Sequence, residues 1–225
     1  MKNTQTLTLP LTMVLIMVAS VTQATLLSYT YSTGFSTTNV PDGNLVGIAD
    51  SRSISGIPDP AGDGTTPVIT DVNVRINISG GFNGDLYGYL RLQNENNDTV
   101  LSVLLNRVGQ GTGSEPVTSF GFSTSGMNVT LDDQAALNIH NVPSPNSGAS
   151  YQSDASTLAS LINKRANGIW TLFLADLSGG GGQTTLVSWG LDISVVPEPT
   201  TWALIIFAVA VAGHVVARRF RPERA

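Results

Sequence analysis

Val68-Ile69-Thr70-Asp71-Val72-Asn73-Val74-Arg75-Ile76-Asn77-Ile78 decides the fold. Val72, Val74, Ile76 and Ile78 recur at every second position, with Asp71, Asn73, Arg75 and Asn77 between them. Side chains on a strand alternate between its two faces, so this pattern predicts a long strand with one face buried and the other wet. Downstream, Leu86, Leu90 and Leu92 share a face with Gly88 between them, and Thr99 to Leu105 is a further apolar segment. Upstream, Ser51 to Ile57 alternates, and Tyr29 to Phe35 does so weakly. Turn chemistry separates these runs at Asp42-Gly43, at residues 58–67, at Gly80 to Asp85 and at Asn94 to Asp98. Five strands in about eighty residues, with no helical period between them, predict an all-β, jelly-roll-type β-sandwich.

The second half extends the same pattern. Val117 to Phe122 and Met127 to Leu131 read as short strands, Asp132 to Ala136 as a capped helical turn, and Thr157 to Ile162 as a brief helical or extended segment. Ile169 to Asp176 is too apolar for a one-faced strand and is expected at the centre of a sheet. Ser178 to Gln183 is expected as a hairpin loop leading to a last strand, in which Val187, Trp189, Leu191 and Ile193 share a face. Trp170 and Trp189 are the expected core rings.

Both ends of the 225-residue chain read as targeting segments. Residues 1–24 combine Lys2, a short apolar core and Thr22-Gln23-Ala24, which predicts a signal peptide cut by signal peptidase after Ala24, with Ser20 as the alternative point. The folded domain then occupies residues 25–195. From Trp202 to Ala217 the chain is uncharged, and Arg218, Arg219, Arg221 and Arg224 follow. That run is slightly short of the roughly 20 residues a transmembrane helix wants, and the arginines would keep its end cytoplasmic. Val196-Pro197-Glu198-Pro199, standing before it, cannot continue a helix back into the last strand.

Between Thr25 and Val196 there are fourteen acidic side chains against six basic ones, which argues against nucleic acid as a partner. The chain has no cysteine, so disulfides, thiolate metal sites and cysteine nucleophiles are excluded. His140 is the one histidine outside the tail and no Gly-x-Ser-x-Gly stretch accompanies it, so no peptidase and no catalytic residue is expected. It reads as a loop histidine. Asp132-Asp133 is the one adjacent acidic pair and reads as a cap with a solvated charge.

Two candidate sites remain. Asp85 and Asp176 lie next to loops that a jelly roll would gather at one end, which makes them candidate Ca2+ ligands or turn stabilisers; no other cofactor is expected. Tyr87 and Tyr89 share the face opposite Leu86 and Leu90, as a carbohydrate platform or as a cross-strand aromatic pair.

Residues 196–225 resemble the PEP-CTERM sorting signal of Gram-negative bacteria, with Val196, Pro197, Glu198 and Pro199 as the motif and the apolar helix and arginine cluster in order. The resemblance implies export, transient anchoring in the inner membrane and processing by an exosortase. Delivery to the outer surface or extracellular matrix would follow, with exopolysaccharide as a candidate partner. The middle of the chain resembles the P (P/Homo B) domain found beside proprotein convertases. Gly168-Ile169-Trp170-Thr171-Leu172 with Asp176, and Leu186-Val187-Ser188-Trp189-Gly190-Leu191, carry the likeness most strongly. It implies a jelly-roll sandwich. Together these expectations describe a non-catalytic exported surface protein, or alternatively a carbohydrate-binding or hydrolase accessory module.

Overall fold

A computed structural model describes residues 24–57, 67–111, 118–155, 158–196, 206 and 208–213. Ten strands follow in order: β1 (Thr25–Tyr31), β2 (Asn39–Val40), β3 (Asn44–Ile54), β4 (Val68–Phe82), β5 (Leu86–Asn94), β6 (Thr99–Asn106), β7 (Ser125–Leu131), β8 (Ser150–Tyr151), β9 (Gly168–Asp176) and β10 (Thr184–Val196). They form two sheets. One has the order β1-β10-β4-β7-β8, with β2 also paired to β10; the other has the order β3-β9-β5-β6. All pairings are antiparallel except the short β7–β8 contact. The chain is an all-β sandwich.

The alternation in β4 performs as written. Val72, Val74, Ile76 and Ile78 are buried, while Asp71, Asn73, Arg75 and Asn77 are half-buried on the outer face. There Arg75 binds Asp192 of β10 and donates through Nη2 to the Tyr29 carbonyl of β1 at 2.8 Å, which ties three neighbouring strands together. From the facing sheet come Leu86, Leu90, Leu92, Leu172 and Leu174, all buried. Gly88 makes room among them, since a Cβ there would lie 2.8 Å from Leu174 Cδ2. Fully burying an aliphatic side chain of this kind is worth about 1.5–3 kcal/mol, so this interface is the main source of stability. Trp170 and Trp189 are both fully buried in it, as expected.

Several local readings are corrected. Strand β1 begins at Thr25 and ends at Tyr31 rather than running to Phe35. Thr118 to Phe122 is a turn region with one isolated bridge, Gln110 to Thr118. Asp132 does not cap a helix: its carboxylate accepts from the Gln134 amide in a local turn. Residues 177–183 do not close a hairpin, because β9 and β10 belong to different sheets; this segment crosses the sandwich. In β10 a bulge between Leu186 and Ser188 inserts one extra residue, so Leu186 is buried and Val187 is 43% exposed. A bulge shifts the two-residue period, and the core face is therefore Leu186, Trp189, Leu191 and Ile193.

Residues 1–23, which include most of the expected signal peptide, lie outside the described residues, as do Pro197, Glu198 and Pro199. Ile206 and residues 208–213 are helical, but among the described residues no helix is long and apolar enough to cross a membrane. The remainder of the expected transmembrane span is outside them.

Candidate functional site

Asp85 and Asp176 come together at one end of the sandwich. Asp85 closes the 3-10 turn Asn83–Asp85 between β4 and β5, and its carbonyl accepts from the Leu177 amide at 2.8 Å. Leu86 stands opposite Asp176 in the β5–β9 register, which places the two aspartates on adjacent strand ends. Asp176 is fully buried; its Oδ1 accepts from the Ser178 amide at 3.2 Å, and its Oδ2 has no hydrogen-bond partner. Burial raises the carboxyl of Asp85 above its ordinary range, and the charge of Asp176 raises it further; Arg107, 3.8 Å away, pulls the other way. Asp176 is also raised, first by burial and then by Asp42, against the lowering effect of the Ser178 and Gly43 amides and Arg107.

Two buried carboxylates thus share one guanidinium. Among the described residues no three carboxylate or imidazole side chains are grouped closely enough to hold a metal ion. A calcium ion at Asp85 and Asp176 would take its remaining ligands from loop carbonyls and solvent, which is compatible with oxygen coordination of six to eight ligands.

Tyr87 and Tyr89 lie on the outer face of the four-stranded sheet as expected, but half-buried. Their ring centroids are 6.3 Å apart in an edge-on arrangement, and Tyr89 stacks on Phe173 of β9 at 4.7 Å and 15°. Stacking on Phe173 occupies one face of the Tyr89 ring, so the three rings form a cross-strand aromatic cluster rather than a flat shelf.

His140 lies in the 3-10 turn Ile139–Asn141 and is not a free loop histidine: Nδ1 is 2.9 Å from Asp154 Oδ1, in a close polar contact outside hydrogen-bond geometry. Asp154 Oδ2 accepts from the Asn106 amide at 2.7 Å. Nδ1 of the imidazole is buried and has no hydrogen-bond partner among the described residues.

Sequence reasoning passed over two features. One is Asp50 on β3, buried on the core side between the sheets, where it accepts from both Trp189 and Arg52. The signal was available: Asp50 and Arg52 hold the same phase as Ile48 and Ile54. The other is an open cleft of about 510 Å3 where β3 and β5 end and β9 begins, lined by amide and hydroxyl side chains.

At the C-terminus, residues 195–221 match the family model described as the PEP-CTERM protein-sorting motif. That motif marks a chain for export and membrane-associated sorting in Gram-negative bacteria, with an exosortase as the processing partner. Its first two residues, Val195 and Val196, are the last two of β10, so the signal starts where the sandwich ends. No curated protein matches the chain. Solved structures that align with it include two from one protease. The Aeromonas sobria serine protease in complex with its chaperone is 15% identical, with a TM-score of 0.46, and the match covers 78% of this chain and 28% of the other. The serine protease of Aeromonas sobria is 13% identical, with a TM-score of 0.42, covering 77% and 27%. This chain spans under a third of the length of those proteases.

Proposed function

We propose that this protein is an exported, exosortase-sorted β-sandwich without a catalytic centre, released to the outer surface or extracellular matrix as a binding or structural module. The sorting motif beginning on the last two residues of β10 carries this reading. The opposite terminus supports it: β1 begins at Thr25, the residue expected to be first after signal-peptide removal, so the sandwich uses the chain up to both expected processing points. The P-domain likeness of the Trp170 and Trp189 strands belongs to the same reading, since such a domain is a non-catalytic companion module.

The test is intact-mass analysis of the protein recovered from a Gram-negative host with and without its exosortase. With the enzyme, the released protein should lack residues 1–24 and the segment following Pro197-Glu198-Pro199. Without it, the C-terminal segment should remain and the chain should fractionate with the inner membrane. Identical masses and locations in the two strains would reject the proposal.

A further inference from the structure

The cleft lies at one end of the four-stranded sheet, where β3 and β5 end and β9 begins. Ser53, Ser55, Gln93, Asn97 and Asn167 bring hydroxyl and amide groups to it, and Ile169, 44% exposed, adds an apolar patch. Its volume of about 510 Å3 falls within the range of small-molecule sites, roughly 300–1,000 Å3.

The walls are held by their own hydrogen bonds. Asn94 Oδ1 accepts from the amides of Asn96 and Asp98 at 3.0 and 2.9 Å and so fixes the β5–β6 turn. Asn167 Oδ1 accepts from the Ile57 amide at 3.2 Å, and the Asn167 carbonyl accepts from the Glu95 amide at 3.1 Å. Gly168, at φ 155°, lets β9 approach β5 at this point: a Cβ there would lie 2.3 Å from the Gln93 carbonyl oxygen. With the frame satisfied internally, the side chains of Ser53, Ser55, Gln93 and Asn97 and the Nδ2 of Asn167 have no hydrogen-bond partner among the described residues. A frame held by its own hydrogen bonds lowers the cost of ordering the cleft around a ligand, leaving that of the free side chains.

The chemistry of those groups selects the ligand. Amides and hydroxyls both donate and accept, which matches a sugar hydroxyl, itself both donor and acceptor. Among the described residues the one carboxylate of the lining, Glu95, is engaged by Arg165 Nη1 at 3.3 Å, and none of the lining side chains is cationic. Hydroxyl and amide groups interrupt the apolar part of the lining, so a lipid or other wholly apolar molecule would leave their donors and acceptors unpaired. We propose that this cleft binds a short segment of neutral oligosaccharide, with Gln93, Asn167 and the two serines reading its hydroxyls and Ile169 packing against a C–H face. The assignment places glycan recognition here and not at Tyr87 and Tyr89. It rests on the export reading only for where the protein meets the glycan; binding itself is a property of the purified chain.

The experiment uses the full-length protein in detergent, with cellotriose, maltotriose, mannotriose, triacetylchitotriose and an anionic uronic trisaccharide as probes, followed by saturation-transfer NMR and calorimetry. At least one neutral trisaccharide should bind. Gln93→Ala and the blocking variant Ser53→Tyr should each weaken it by about tenfold or more, while Tyr87→Ala leaves it unchanged. Thermal midpoints close to the parent's would show that the two cleft variants are folded; a variant that fails this check is replaced by Ser55→Tyr, for which the same loss is expected. Absence of binding for every neutral probe at millimolar concentration would overturn the proposal. So would equal binding of the anionic probe, or a loss confined to Tyr87→Ala. A failed localisation experiment would leave these results standing, and the converse also holds.

Discussion

Trp189 Nε1 of β10 donates to Asp50 Oδ2 of β3 at 2.7 Å, so one buried hydrogen bond joins the two sheets of the sandwich. The same oxygen accepts from Arg52 Nε at 2.7 Å, and the Arg52 guanidinium lies over the rings of Tyr31 and Phe35. Tyr31 in turn packs against Trp189, with ring centroids 4.8 Å apart. Asp50 is thus a buried carboxylate whose two donors come from different sheets. Trp189→Phe keeps most of the ring but removes one donor, and leaving a buried acceptor short costs about 1–3 kcal/mol. Trp189→Ala adds a cavity and should cost about 3–5 kcal/mol. Urea melts of both variants check this; a Phe variant as stable as the parent would show that the bond contributes nothing net.

Trp170 is fully buried on β9, and its Nε1 donates to the Ala166 carbonyl at 3.0 Å, closing the turn that leads into the strand. Trp170→Ala should cost about 3–5 kcal/mol out of a total of about 5–15 kcal/mol for a domain of this kind. A loss below about 1 kcal/mol is incompatible with a core position.

Asp71 provides the pH prediction. Burial raises its carboxyl above the ordinary range, Asp132 and Asp133 add to the rise, and the Gln134 side chain opposes it. A carboxyl raised in the folded state binds its proton more tightly there than in the unfolded chain. Its contribution to stability is therefore fully present below the unfolded value of about 3.9 and is lost as pH rises through the folded value. Asp71→Asn should remove that slope and be the more stable form at neutral pH. Thermal midpoints measured between pH 3 and pH 7 for parent and variant should diverge as pH rises; parallel curves would reject the assignment.

Calcium is tested at Asp85 and Asp176. If the folded state alone holds the ion, then at a hundred times the dissociation constant stability rises by about 2.7 kcal/mol. The thermal midpoint of the full-length protein in millimolar calcium should exceed that in chelator at equal ionic strength, and Asp176→Asn should abolish the difference. Equal midpoints for the parent would dispose of a calcium role, and a difference surviving in Asp176→Asn would move the ion to other ligands.

The sandwich was legible because its strongest signal is local. Val72, Val74, Ile76 and Ile78 announce a one-faced strand without help from the rest of the chain, and the apolar density of Ile169 to Asp176 announces a central one. Two kinds of feature were hidden. A bulge leaves no mark in a period-two pattern, so Val187 read as core when Leu186 is. Which sheet a strand joins is also not local, so the glycine-bearing segment 177–183 read as a hairpin although it changes sheets. The convergence of Asp85 and Asp176 was readable from jelly-roll geometry alone. The cleft was not, because Ser53, Gln93 and Asn167 are each unremarkable in their own stretch and meet only through the register of β3, β9 and β5.

The pairing of Thr25 with Val195 puts both ends of the sandwich on adjacent strands. Val196 stands opposite Val68, Val68 bridges to Arg165, and Arg165 reaches Glu95 at the rim of the cleft, whereas Asp85 and Asp176 mark the other pole. On the proposed reading, a molecule leashed to the inner membrane beyond Val196 would carry its cleft on the leashed side and its acidic pole on the other. On the same reading, release would free the cleft to face solvent. Proteolysis by the sorting enzyme would then time the binding: glycan capture is expected to be weak for the leashed form in vesicles and strong for the freed one, and equal capture by both would refute the ordering.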